Sequence, residues 1–362
     1  MKKIRVAGTA KKFKHMKSKP IKDQINSPSE VEDPNDKATS NSLRNGLLKL
    51  FILLFSAFWV LALIIRLTVR DSAGVFVTLV FYISPLILLC LGAAIVFLFS
   101  WCVRWQRISL IWLILTLITG VWCWNTQFRK NEVHIALEYN QLPELRILFW
   151  NIGDRLWGME SVVDELRAVD ADLIGFVEAG ADSAKMKRFW KETFPDHPFQ
   201  IVKNGFVLLS RVPIANQRSG RLTEMGRYEF MDLELKQAQG RSVSVFLVDI
   251  KSNIFKSRKE ALEQLAVQVS AIKDHPILVL GDFNTPSDSD HFRPLRKWIK
   301  NSFEVAGDGY AATWPLPLPV LDLDSIWVND QFVVFSSENR WTWVSDHRPV
   351  ITDVFLKTLK NN

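Results

Sequence analysis

Residues 140–362 contain no cysteine; the three in the chain, Cys90, Cys102 and Cys123, all precede them. A disulfide framework and a cysteine-based zinc site are therefore excluded from that region. Its lack of cysteine suits either side of a membrane and does not locate it. The same region has no excess of positive charge. Residues 1–139 hold 18 Lys/Arg against 8 Asp/Glu, whereas residues 140–362 hold 27 against 30, so the overall +7 belongs to the N-terminal part. The basic character of the chain is thus no sign that its C-terminal region binds nucleic acid, which usually calls for a basic patch.

Charge is also missing from three apolar runs. Gly46–Ile65 carries only Lys49, and Gly74–Phe99 and Ile108–Trp124 carry none. Crossing the hydrocarbon takes about 20 apolar residues, with about 17 as the short limit. The first two runs meet the requirement and the third is marginal. With Arg and Trp at their ends they read as a membrane anchor, residues 46–124, whose partner is the lipid bilayer. The first run is too long and too far from the start for a cleaved signal peptide. The near absence of ionisable residues within the runs argues against a transport component. Residues 1–45 are polar and lysine-rich, a composition that reads as a disordered tail and offers, as an alternative, an arm for nucleic acid or anionic lipid. Lysines in the tail place the N-terminus in the cytoplasm. Three spans then put the C-terminal domain outside the cytoplasm; a third run lying on the membrane surface would put it inside.

After a linker at residues 125–142 the pattern changes to strands mixed with helices. Leu145–Gly153, Asp172–Val177, Asn204–Ile214, Ser242–Ile250 and Ile277–Leu280 read as strands, and Ser257–Ile272 has helical spacing. Continuous apolar strands alternating with helices predict sheets covered by helices. Strand after strand has a carboxylate, Asn or His near its end: Asn151, Glu178, Asp249, Asp282 with Asn284, Asp324, and Asp346 with His347. Each alone reads as a turn-former or cap. Gathered at one edge, they would form an acidic pocket with one imidazole. Hard oxygen donors without cysteine suit Mg²⁺, with Mn²⁺ or Ca²⁺ as alternatives, rather than zinc.

The order Trp150-Asn151-Ile152-Gly153, Gly175-Phe176-Val177-Glu178-Ala179-Gly180, Gly281-Asp282-Phe283-Asn284, Thr313-Trp314-Pro315, Leu323-Asp324-Ser325-Ile326 and Ser345-Asp346-His347 resembles the endonuclease/exonuclease/phosphatase superfamily, with its DNase I-like fold. The likeness covers residues 143–357. It implies a four-layered α/β sandwich of two packed mixed β-sheets flanked by helices, and metal-dependent hydrolysis of phosphodiesters or phosphomonoesters. It also implies roles for matching residues. Glu178 would be the metal ligand, helped by Asn151 and Asp346. Asp282 would be the general base, Asn284 and Asn151 would hold phosphate or water, and His347 would bind the scissile phosphate. Asp324 would fix the tautomer of His347 and raise its pKa. The chain departs from the pattern at Asp249, where many relatives have a His. Asp249 could protonate the leaving group, add a metal ligand or signal lost activity. A membrane-anchored phosphoesterase acting on nucleic acid, a phospholipid or a small phosphodiester is the first expectation. A catalytically weak relative that binds a phosphorylated ligand or partner is the alternative. No feature points to a protein partner. His197, His275 and His291 are expected in solvated loops, and the basic clusters Lys185–Arg188 and Arg293–Lys300 on solvated faces.

Overall fold

The structure, a computed structural model, describes residues 34–130, 144–153, 158–235 and 242–357. Contacts divide the chain once, into Met1–Leu47 and Leu48–Asn362. Helix α1 spans Pro34–Leu67. Residues 34–45, expected in the polar tail, are thus helical, and the earlier part of that tail lies outside the described residues. Proline suits the first turn of a helix, and extending a helix is far easier than nucleating one.

The second apolar run is not one straight helix. Helices α2 (Val75–Ile83) and α3 (Leu86–Cys102) meet at 69° across Ser84-Pro85. Pro85 has no amide hydrogen and crowds the turn before it. It also excludes Ser84 from the helical region, leaving φ at −121° and ψ at 54°. The third run lies inside α4 (Gln106–Gln127), whose 22 residues span about 33 Å. By length and composition Ser42–Leu67 and Gln106–Gln127 are candidate membrane spans, and the bent pair meets the same test as a unit.

These helices pack by aromatic and small side chains. Lys49 lies over Trp105 at 5.3 Å, Phe51 meets Phe99 at 6.1 Å and Trp59 meets Trp112 at 4.9 Å. Trp59 Nε1 donates to Leu89 O at 2.7 Å, and Arg66 donates to Phe81 O and Ser84 O, each at 3.1 Å. α1 therefore runs antiparallel to α3 and parallel to α4. Gly92 permits the close approach, since a Cβ there would stand 3.2 Å from Trp59.

The rest of the chain builds two sheets. It begins with β1 (Phe128–Arg129), β2 (Leu145–Asn151), α5 (Met159–Val169), β3 (Leu173–Val177), α6 (Ala184–Thr193), β4 (Phe199–Lys203), β5 (Phe206–Ser210) and β6 (Ile214–Leu222). Next come β7 (Gly226–Glu234), β8 (Ser242–Ile250), α7 (Lys259–Ser270), β9 (Ile277–Asp282) and β10 (Lys300–Asn301). Last are α8 (Ser302–Ala306), β11 (Gly307–Tyr310), β12 (Asp324–Val328), β13 (Phe332–Asn339) and β14 (Val350–Leu356). One sheet has the order β1-β11-β13-β14-β2-β3-β5-β4 and the other β10-β12-β9-β8-β7-β6. Parallel pairs (β2 with β3, β8 with β9) among antiparallel ones make both sheets mixed. Residues 125–129, expected in a linker, instead finish α4 and form β1, which pairs antiparallel with β11.

Strands β3 and β9 are buried along their whole length, as strands covered on both faces must be. Leu247, Leu278, Leu280 and Ile326 from one sheet meet Ile147, Phe149, Leu208 and Val354 from the other. The outer face of the larger sheet is covered by Val162, Leu166 and Trp190 of α5 and α6. That of the smaller sheet is covered by Leu262, Leu265 and Val269 of α7. Helix, sheet, sheet and helix make the expected four-layered sandwich.

Candidate active site

Cross-strand register sets one row of side chains across four adjacent strands of the smaller sheet. Arg227 on β7 is opposite Asp249 on β8, Asp249 is opposite Asp282 on β9, and Asp282 is opposite Asp324 on β12. Opposed residues place their side chains on the same face. Asn151 ends β2 in the other sheet, and its Nδ2 donates to Asp282 Oδ2 at 2.9 Å. This bond closes the edges of the two sheets over one another.

Asp282 is buried, and two more hydrogen bonds hold it. Asn284 donates from its backbone N to Oδ1 at 2.8 Å and from Nδ2 to Oδ2 at 3.1 Å, while the same Nδ2 also reaches Ile250 O at 2.7 Å. The carboxylate and carboxamide two residues apart thus bind each other as well as sharing a face. Asn284 and Glu178 both take left-handed backbone conformations, with φ of 46° and 55°. Asparagine tolerates this region, but for glutamate it is costly and persists only when the surroundings enforce it.

His347 Nδ1 lies 2.7 Å from Asp324 Oδ2, and both side chains are buried. Their scaffold is local. Trp150 Nε1 donates to His347 O at 2.9 Å. Ser345 Oγ accepts from His347 N and donates to Asn151 O. Thr313 Oγ1 accepts from Leu323 N and Asp324 N. The Trp-Asn, Thr-Trp-Pro and Ser-Asp-His stretches are therefore tied together by their own short polar side chains. Burial, and next the charge of Asp324, push Asp282 up to about 8, against the opposing pull of His347 and Asn151. Burial alone would lower His347, but Asp324 outweighs it, with Asp282 and Asp346 adding to the effect, and raises the imidazole to about 10.

Asp282, Asp324 and His347 form a group whose ligand atoms lie within 4.8 Å of one another, among the described residues. A protonated imidazole has no lone pair for a metal, so this trio suits proton handling. Glu178 lines a separate part of the site, an open cleft of about 670 Å³ with Asn284, Arg227, Asp249 and Lys251. Asp346 is half-buried, and its carboxylate accepts from Trp314 Nε1 at 3.1 Å. The expected ligands Glu178, Asp346 and Asn151 each offer an oxygen donor of the kind Mg²⁺ takes.

Arg227 is the residue that sequence reasoning missed. Its Nε and Nη2 donate to Asp249 Oδ2 at 2.8 and 2.7 Å, and its side chain is 42% exposed, in the cleft. Asp249 is thus the partner of a cation, where the sequence suggested a leaving-group acid or an extra metal ligand. Two expectations about histidines are corrected. His291 is buried beside Asp71, 3.6 Å from its carboxylate, and His197 is buried with Nε2 at 2.8 Å from Ala171 O. Both serve the scaffold, and neither is solvated. The basic clusters fit the expected exposed faces, with Arg296 paired to Glu304 and Lys300 to Asp330.

A sequence model of the Endonuclease/Exonuclease/phosphatase family matches residues 124–347. The chain belongs to this family. Family members hydrolyse phosphoester bonds, generally with a divalent metal. A family protein from Bacteroides thetaiotaomicron is similar in structure at 15% identity and TM-score 0.51, over 60% of this chain and 100% of that one. A second, from Bacteroides vulgatus, gives 17% identity and TM-score 0.50, over 59% and 99%. A mannosyl-6-phosphatase of Bacteroides thetaiotaomicron VPI-5482 gives 16% and 0.50, over 59% and 100%. At these identities the likeness is one of fold. No curated protein sequence matches the chain.

Proposed function

We propose that this family member is a membrane-anchored, divalent-metal-dependent phosphoesterase that uses Asp282 to activate water. The observation that carries the reading is the buried Asp282, hydrogen-bonded to Asn151 and Asn284 and set beside the Asp324–His347 pair. Asp282 takes a proton from water as the water oxygen bonds to phosphorus and the ester P–O bond opposite breaks. Asn284 and Asn151 hold the base and the attacking water in line. His347, kept protonated by Asp324, donates from Nε2 to a phosphoryl oxygen. Glu178, Asn151 and Asp346 would hold Mg²⁺, which when bound offsets charge on the phosphoryl group. Arg227, oriented by Asp249, supplies the cleft with a cation for a phosphate oxygen.

The helix packing supports three crossings. The C-terminal ends of α1 and α4 both reach the sandwich, through Arg66 and Arg70 at Asp288 and Asp290 and through β1 on β11. The bent pair returns the chain between them. With the lysine-rich N-terminus in the cytoplasm, the sandwich lies outside it. A phospholipid or small phosphodiester suits a domain without net positive charge better than duplex DNA, which is bound through phosphate neutralisation.

The test is Mg²⁺-dependent hydrolysis by the full chain in lipid nanodiscs. Plasmid DNA, RNA, sphingomyelin, phosphoinositides, a sugar phosphate and a chromogenic phosphodiester would be compared, with Asp282→Ala as control. Turnover that disappears in the control supports the reading, and the preferred substrate names its class. No turnover with any substrate or with Mn²⁺ or Ca²⁺ in place of Mg²⁺ would overturn it.

A further inference from the structure

The segment Thr285–His291 leaves the site directly after Asn284, and it is held from both sides. On one side Ser287 donates to the carboxylate of Asp322, two residues before Asp324. On the other side lies the turn that joins α1 to α2. Asp71 in that turn is 2% exposed, and its carboxylate accepts from Ser289 Oγ and from Asp290 N at 3.1 Å. Arg70 donates to Asp288 O at 2.8 Å and to Asp290 Oδ1 at 3.3 Å. Arg66 pairs with Asp288. The same guanidinium donates to Phe81 O and Ser84 O, the carbonyls left free where Pro85 breaks the helix. One buried side chain therefore joins the bend in the membrane segment to the loop after the candidate base. Asp324 reaches the seam too: with Arg66, Arg70 and Asp288 it lines a cavity of about 260 Å³.

This network bears on the site for a physical reason. Asn284 has a left-handed backbone, which its surroundings must hold, and Thr285–His291 is the chain that continues directly from it. Buried polar groups fix geometry when every partner is present and loosen it when one is removed, because the remaining charge is left unpaired.

We propose that Arg66, Arg70 and Asp71 are positioning residues for the candidate active site. Through Thr285–His291 the membrane anchor holds Asn284 and Asp282 in place, and full turnover requires the anchor to be seated. The turnover part rests on the hydrolytic reading above; the positioning part does not.

The experiment compares the full chain with Asp71→Ala, the milder Arg70→Ala, and the remote exposed control Lys300→Ala, all in nanodiscs. Amide hydrogen exchange and hydrolysis of the best substrate are read on the same samples. Both anchor variants are expected to speed exchange within residues 283–291 by roughly ten-fold or more while the other strands stay protected. Their kcat should fall about ten-fold or more with KM within about two-fold, as small misplacements of catalytic groups do. Asp71→Ala combined with Ser289→Ala should exchange no faster than either alone. Unchanged exchange at 283–291, exchange that rises evenly across the sandwich, or faster local exchange with kcat intact would each overturn the proposal. A parent chain that hydrolyses nothing defeats the hydrolytic reading, and exchange at 283–291 then decides the positioning alone.

Discussion

Asp324 Oδ2 and His347 Nδ1 lie 2.7 Å apart in a buried site, with Asp282 opposite Asp324 in the strand register. Asp282 and His347 both lie beside the Asp324 carboxylate, and its charge raises both. Asp282 is raised to about 8 and must lose its proton to act as base, whereas His347 is raised to about 10 and must keep its own. The kcat/KM profile is therefore expected to rise through about pH 8 and fall through about pH 10. Asp324→Asn should draw the alkaline limb down towards an ordinary imidazole near 6.5. An alkaline limb that does not move would remove Asp324 from this role.

The same shifts have a consequence for stability. A carboxyl raised in the folded state contributes its stability below the unfolded pKa of 3.8 and loses it as pH rises through about 8. Asp282→Asn cannot ionise, so it should gain more in unfolding temperature over the parent at pH 9 than at pH 5. Its turnover should fall by about 10²–10⁴-fold, the usual scale for removing a general base. Thermal unfolding and kcat measured side by side check both signs.

Glu178 tests the metal reading by two routes. Saturating Mg²⁺ that binds only the folded state raises stability, by about 2.7 kcal/mol at a hundred times the dissociation constant. Glu178→Ala should remove most of the Mg²⁺-dependent rise in unfolding temperature as well as turnover. A full Mg²⁺ shift retained in the variant would place the ion elsewhere.

Arg227 and Asp249 should behave as one device. Arg227→Ala is expected to raise KM by roughly ten-fold or more, in keeping with loss of a charge-assisted contact, and Asp249→Ala to raise it less. The double variant should be no worse than Arg227→Ala, since residues in contact are not additive. Independent, multiplying effects would break the link between them.

Much of this site was legible before the fold was known, because its polar residues interrupt apolar strands. Asp282, Asn284, Asp324 and His347 stand where buried runs end, and the Trp-Asn and Ser-Asp-His stretches are bound by serine and asparagine side chains close to them in sequence. What stayed hidden depends on register or on distant contact. Arg227 reads as a surface cation until β7 aligns it with Asp249. Asp71 and Ser289 are separated by 218 residues, so no local pattern could join them. The break at Ser84-Pro85 had a visible signal, the proline, although apolar length alone favoured one straight span.

The membrane arrangement gives the last prediction. α1 lies parallel to α4, and the bent pair runs back between them, so Cys102 at the end of α3 and the sandwich should lie on opposite faces of the membrane. Cys102 is exposed, whereas Cys123 is buried and Cys90 only partly accessible. In intact cells a membrane-impermeant maleimide should label a cysteine placed at Lys251, in the cleft, and spare Cys102 until the membrane is permeabilised. An inverted orientation of the same three crossings would change the outcome, because it puts the sandwich in the cytoplasm and Cys102 outside. Lys251→Cys would then be protected in intact cells. Protection at residue 251 would therefore reverse the location of the domain while leaving the chemistry of its site untouched.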